Sequence, residues 1–115
     1  MPADCLFCRI IAGEFGAEFV AENEHAVAFR DINPQAPVHL LVVPRQHVSA
    51  LRDVGNLNDN ELRGMLDLSV KAAHAEGIDR GGYRLVTNDG ADAGQTVFHL
   101  HWHLLGGAKL KDGLA

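Results

Sequence analysis

The amino-acid sequence predicts an α+β fold with an antiparallel sheet. Two observations carry this: short apolar runs joined by hairpin turns, and one long segment with helical spacing. A length of 115 residues is room for one compact domain, residues 1–115, around one core. Apolar content of 47% and charged content of 22% are ordinary for a globular chain, so disorder is not its main state.

Residues 5–13 read as a short helix with Leu6, Ile10 and Phe7 as its buried face and Gly13 as its stop. Phe19–Ala21 and Ala26–Arg30 read as two strands around a turn at Glu22-Asn23-Glu24. The next stretch, Asp31 to Pro37, is a loop, because Pro34 and Pro37 exclude a central strand. His39–Pro44 is a strand with the apolar run Leu40-Leu41-Val42-Val43. The long helix runs from Asn58 to Glu76. Asn58 caps it, Glu61 completes a capping box, and Gly77 stops it. Leu62, Met65, Leu66, Ser69, Val70 and Ala73 mark its inner face. Tyr83–Thr87 is a strand, Asn88–Gln95 a glycine-bearing loop, and Phe98–Leu105 the last strand, ended by Gly106-Gly107.

The formal net charge of −5 gives no general attraction to nucleic-acid polymers or anionic membranes, so any phosphate must be met by local donors. No run approaches the roughly 18–20 apolar residues of a membrane helix. Met1-Pro2-Ala3-Asp4 lacks the basic start of a secretory signal. Cys5 and Cys8 are too close in sequence to staple a secreted fold, and a reduced pair in the cytoplasm fits better.

Seven histidines are the compositional oddity, and three fall within Phe98-His99-Leu100-His101-Trp102-His103-Leu104-Leu105. Alternation along a strand sends His99, His101 and His103 one way, and Phe98, Leu100, Trp102 and Leu104 into a core. Neighbouring histidines then stand roughly 6.5–7 Å apart, a span suited to flanking one phosphate. Histidines two apart can equally ligate a zinc ion, and geometry alone does not choose. The loop Asn88-Asp89-Gly90-Ala91-Asp92-Ala93-Gly94-Gln95-Thr96 adds glycines that let amides approach an anion, with Asn88, Gln95 and Thr96 as side-chain donors. The same composition also serves an ordinary tight turn.

The stretch Gln95-Thr96-Val97 followed by His-x-His-x-His and apolar residues resembles the signature of the histidine triad family. Further matches lie in Cys5 to Glu14, in Ala28 to Ile32, in Pro34 to His39, in Val43 to His47, and at Asn88-Asp89-Gly90. They span about residues 5–107, in the order of the Hint branch, and leave 108–115 as a short tail. The resemblance implies a five-stranded antiparallel sheet with one long and one short helix, shared across a homodimer. It implies binding of purine nucleoside monophosphates and hydrolysis at the α-phosphate of their phosphoramidates. His101 corresponds to the nucleophile, forming a covalent nucleotidyl-histidine. Neutral imidazole is nucleophilic near physiological pH, and its other nitrogen should donate to a backbone carbonyl. His103 matches a donor to the phosphoryl oxygens, and His39 belongs to the same cluster. Thr96 stands where serine is common and can touch phosphate or relay a proton, or is simply strand-edge polarity. Asp31 resembles the residue that binds ribose hydroxyls, and Asn88 one near ribose and phosphate. Phe29 and Ile32 line the base site or are plain core.

Cys5 and Cys8 have the C-x-x-C spacing of structural zinc sites, or pack as small hydrophobes. Family members of bacterial type complete such a site with histidines that correspond to His47 and His99. That zinc would tie the first helix to the last strand. No cofactor is expected for the chemistry itself, since imidazoles and amides can meet phosphoryl charge without magnesium. His25 and His74 are expected at the surface, and Lys109 and Lys111 in a fraying tail. Two other readings remain open: hydrolysis of dinucleoside polyphosphates, and a zinc-binding interaction module without turnover.

Overall fold

The computed structural model describes residues 4–112. The reading of the first three residues, and of 113–115 in the tail, lies outside them. In chain order the elements are α1 (Leu6–Ile11), β1 (Ala21–Glu22), β2 (Ala26–Arg30), β3 (Val38–Pro44), α2 (Asp59–Ala75), β4 (Tyr83–Val86) and β5 (Trp102–Gly106). Short 3-10 turns occupy Leu51–Asn56 and Ala91–Ala93. The strands form one antiparallel sheet in the order β1-β2-β3-β5-β4, which is the α+β architecture expected.

Alternation along the strands divides the apolar residues between two faces. Ala26 and Ala28 of β2, Leu40 and Val42 of β3, and Leu104 of β5 bury against α2. Val27 and Phe29 of β2 with Leu41 and Val43 of β3 face the other way, where Phe7 of α1 covers them. Both faces of β3 are thus shielded, which is why its sequence is a continuous apolar run.

Helix α2 begins as its sequence dictates. The Asn58 side chain accepts from the Glu61 amide and the Glu61 carboxylate accepts from the Asn58 amide. Its buried residues are Gly64, Met65, Leu68, Ser69, Ala72 and Ala73. The expected stripe is corrected on one side: Leu66 and Val70 are 51% and 61% exposed, and Leu68 and Ala72 take the inner positions. Gly64 explains how closely the helix approaches. A Cβ there would stand 2.8 Å from the Cβ of His25, and Asn23 Nδ2 donates to the Gly64 carbonyl at 2.9 Å. His25 is therefore half-buried against the helix, not a free surface residue. His74 is exposed, as expected, and its Nδ1 lies 2.6 Å from Asp79 Oδ2.

Other boundaries shift. In α1 the buried residues are Phe7 and Cys8, whereas Leu6 is 44% exposed. The first strand enters the ladder only at Ala21. The tail is held at Lys111, whose carbonyl accepts from Arg84 Nη2 at 2.8 Å. The largest correction concerns the histidine strand: its ladder starts at Trp102, not Phe98. Over 97–101 the chain stands outside the ladder. The Leu100 amide donates to Val48 at 2.7 Å, and Phe98, expected in the core, is 53% exposed. The alternation itself survives. Leu100, Trp102 and Leu104 join the α2 side, and the histidines face α1.

Candidate active site

The sheet register sets two histidines together. His103 on β5 pairs with Leu41 on β3, and His39 pairs with Leu105, so His39 and His103 are diagonal neighbours on one face. His39 Nε2 lies 2.9 Å from His103 Nδ1 and 3.5 Å from Asp31 Oδ2. Next along the chain, the His101 ring stands 5.1 Å from that of His103.

Hydrogen-bond partners place the protons. A carbonyl oxygen only accepts, so His101 Nδ1, 2.7 Å from the His99 carbonyl, carries hydrogen and donates to it. Its Nε2 then bears a lone pair. The amide of Gln35 donates to His39 Nδ1 at 3.0 Å, so the hydrogen of neutral His39 resides on Nε2 and is given to His103 Nδ1. That leaves His103 with its own hydrogen on Nε2. Among the described residues no buried side-chain polar atom lacks a partner. The Nε2 atoms of His101 and His103, which have no protein partner within hydrogen-bond distance, are therefore open to solvent.

They open onto a cavity of about 1020 Å³. Its lining includes the polar residues His101, His103, Thr96 and Asp31 and the apolar residues Phe29, Phe19, Ile10 and Phe15. Ile32 stands at the rim, 93% exposed. Phe29 is both wall and core, being 5% exposed. Burial, the dominant influence, lowers the pKa of His101 and of His103 below the ordinary 6.5. Both shifts favour the neutral ring. The arrangement presents one bare imidazole nitrogen, one imidazole N–H donor and a carboxylate beside an apolar cleft.

Three predicted residues do not line this cavity: His39, which stands behind His103, Gln95 and Asn88. Gln95 is buried, and its amide group is used inside the protein: Nε2 donates to Ser49 and Val97 carbonyls at 2.8 and 3.1 Å, and Oε1 accepts from Gly90 at 2.8 Å. It shapes the glycine loop and offers no donor to a phosphate. Asn88 is half-buried beyond the end of β4, outside the cavity lining. Asp89 clamps that loop instead, accepting from the Arg52 amide and Nε at 2.8 Å each. Spacing and motifs do not mark Ile10, Phe15 and Phe19 as cavity walls. The one signal for Phe15 and Phe19 is that they are aromatics in a stretch, residues 12–19, otherwise built of glycine, alanine and glutamate.

A second cluster adjoins the first. The ligating atoms of Cys5, Cys8, His47 and His99 all lie within 4.8 Å of one another. His99 Nδ1 is 3.3 Å from Cys5 Sγ, 3.5 Å from Cys8 Sγ and 3.2 Å from His47 Nδ1. Its Nε2 donates to the Pro44 carbonyl at 2.8 Å, which fixes the tautomer with a bare Nδ1 aimed into the cluster. Burial pulls the His99 imidazole down to about 4 and pushes the Cys8 thiol up to about 11, the latter with help from neighbouring Cys5. Two cysteine sulfurs and two imidazoles with converging donor atoms are a set that can hold a metal ion. A smaller cavity of about 450 Å³ gives access to Cys5 and His47.

Comparison with known proteins agrees with this geometry. A family model for the HIT domain matches residues 12–110. The purine nucleoside phosphoramidase of Escherichia coli (strain K12) is 39% identical over 115 residues, which are 100% of this chain and 97% of that protein. The structure of a HIT family hydrolase from Clostridium thermocellum is similar with a TM-score of 0.87 and 41% identity, covering 100% of both chains. That of a histidine triad protein from Clostridium difficile gives a TM-score of 0.89 and 40% identity over 98% of each chain. With the family model covering most of its length and relatives aligned end to end, the chain belongs to the HIT domain family.

Proposed function

We propose that this HIT-family hydrolase cleaves purine nucleoside 5′-phosphoramidates at the α-phosphate through a covalent nucleotidyl-histidine on His101. The observation that carries the reading is the His101 tautomer: Nδ1 donates to the His99 carbonyl at 2.7 Å, so Nε2 presents its lone pair to the cavity. The base lies against the apolar residues Phe29 and Ile32, and the ribose hydroxyls donate to Asp31. His101 Nε2 attacks phosphorus and the phosphorus–nitrogen bond breaks. The amine leaves with a proton that the Thr96 hydroxyl passes on from solvent, and the water of the second step returns one to solvent. His103 Nε2–H donates to a phosphoryl oxygen as charge builds there. His39 holds His103 in the donating tautomer. Water then attacks the adduct, releasing the nucleoside monophosphate and restoring neutral His101. Dividing one hard displacement into two is the purpose of the covalent step.

The test is hydrolysis of adenosine 5′-phosphoramidate by the wild type and by His101→Ala, with denaturing mass spectra taken during turnover. A transient adenylyl adduct on the wild type, with activity lost and folding kept in the variant, supports the reading. A folded wild type that binds adenosine monophosphate but turns over neither this compound nor a dinucleoside polyphosphate would sink it.

Zinc is the ion that best suits two cysteines and two histidines, and its role here is to tie α1 to the segment before β5. Protein purified without chelator should contain one zinc per chain, and elemental analysis finding none would remove the proposal. The reduced thiols suit a cytoplasmic setting. The assembly we propose is a homodimer, supported by the apolar residues left open on α2 and on edge strand β4.

A further inference from the structure

The cysteine–histidine cluster and the nucleophile are not separate sites. His99 belongs to both: its ring enters the cluster through Nδ1, and its main-chain carbonyl holds His101 Nδ1 at 2.7 Å. That carbonyl lies in a stretch outside the sheet, so no ladder bond orients it. What orients it comes from the cluster. The peptide between His99 and Leu100 is planar, and its amide donates to Val48 at 2.7 Å. Val48 directly follows the cluster residue His47. The His99 ring is pinned at Nε2 by Pro44, at the end of β3 and just ahead of His47. A third connection runs through α1. Phe7 sits between Cys5 and Cys8 in sequence, and its ring meets the His101 ring edge-on at 5.0 Å and 88°.

We propose that His99 is a positioning residue for the nucleophile, and that filling the Cys5–Cys8–His47–His99 cluster with zinc sets the orientation of His101 through the His99 carbonyl and the Phe7 ring. This rests on the reading of His101 as nucleophile. Loss of the metal frees the His99 ring at Nδ1 and lets α1 move, so the carbonyl and Phe7 cease to restrain His101 together. Asp31 and Phe29, at the end of β2 and within it, keep their substrate contacts, while Ile10 moves with α1. The effect therefore falls more on kcat than on KM.

The experiment uses protein labelled with ¹⁵N at histidine, zinc-loaded as the wild type and as Cys8→Ser. The His101 Nδ1–H resonance is identified by its absence in His101→Ala. In the zinc-loaded wild type this proton should exchange slowly with water. In Cys8→Ser, and in wild type stripped by chelator, it should exchange rapidly, and it should recover when zinc is returned to the wild type. With adenosine 5′-phosphoramidate, kcat in Cys8→Ser should fall about tenfold or more while KM stays within about twofold. Ile78→Ala, in the core on the α2 side, is the stability control: it lowers the melting temperature and leaves the His101 signal in place. Where Cys8→Ser does not fold, His47→Gln at the half-exposed ligand gives the same comparison. A variant that loses zinc and melting temperature but keeps the His101 signal and kcat would overturn the proposal, reducing the cluster to a staple. If the ring signal follows zinc while the wild type hydrolyses no phosphoramidate, the assigned activity falls and the coupling stands.

Discussion

Each of the four imidazoles on the α1 face has its proton assigned by a neighbour: His99 by Pro44, His101 by His99, His39 by Gln35, and His103 by His39. The consequence for pH follows from burial. The nucleophilic role proposed for His101 needs the neutral ring, and burial disfavours the imidazolium, so its pKa lies below 6.5 and protonation sets in only at lower pH. His103 shifts the same way. The acid limb of kcat/KM should therefore fall below the ordinary histidine value, with no loss from these groups on the alkaline side, and a limb above 6.5 would contradict the geometry. That a nucleophilic histidine needs a hydrogen-bond acceptor at Nδ1 follows from imidazole chemistry alone. Which carbonyl supplies it does not, because that depends on a departure from the strand two residues away. Gln95 shows the converse. By residue type its amide is available to a phosphate, but burial requires partners for it and the loop provides them.

At the level of elements, Gly64 joins α2 to the β1–β2 hairpin. Alanine is intrinsically better than glycine inside a helix by about 1 kcal/mol. Here a Cβ would meet His25 at 2.8 Å, and overpacking typically costs about 1–3 kcal/mol. Gly64→Ala should thus lower stability, seen as a reduced urea midpoint with an unchanged slope, despite the gain in propensity. The cap of α2 is legible in the sequence because Asn58 and Glu61 are near neighbours that need only each other. The stripe behind it is legible only in part. Spacing alone cannot say which flank of an apolar arc faces the sheet, and Leu66 and Val70 lie on the outer side. The start of β5 is hidden for a different reason: residues 97–101 alternate like a strand, yet their ring and amide bonds go to Val48 and the cysteine cluster.

Across the whole molecule, the sheet separates two tasks. The face under α2 is a continuous apolar core, and the face under α1 carries both clusters and the larger cavity. Strand β4 ends the sheet with Tyr83 and Leu85 38% and 39% exposed. If these and the outer side of α2 are the dimer surface, light scattering should give twice the chain mass. Leu66→Glu combined with Val70→Glu should reduce it to one chain, and an unchanged mass would exclude α2 from the contact. The six-residue α1 brings Phe7 against Phe29, His99 and His101 at once. That one ring is a party wall between the apolar cleft, the cysteine cluster and the His101 imidazole. If the cleft takes the base as proposed, a library built to accept a different one should vary Ile10, Phe15 and Phe19 freely and keep Phe7 constant, because a new specificity gained at Phe7 would arrive together with a displaced His101 ring.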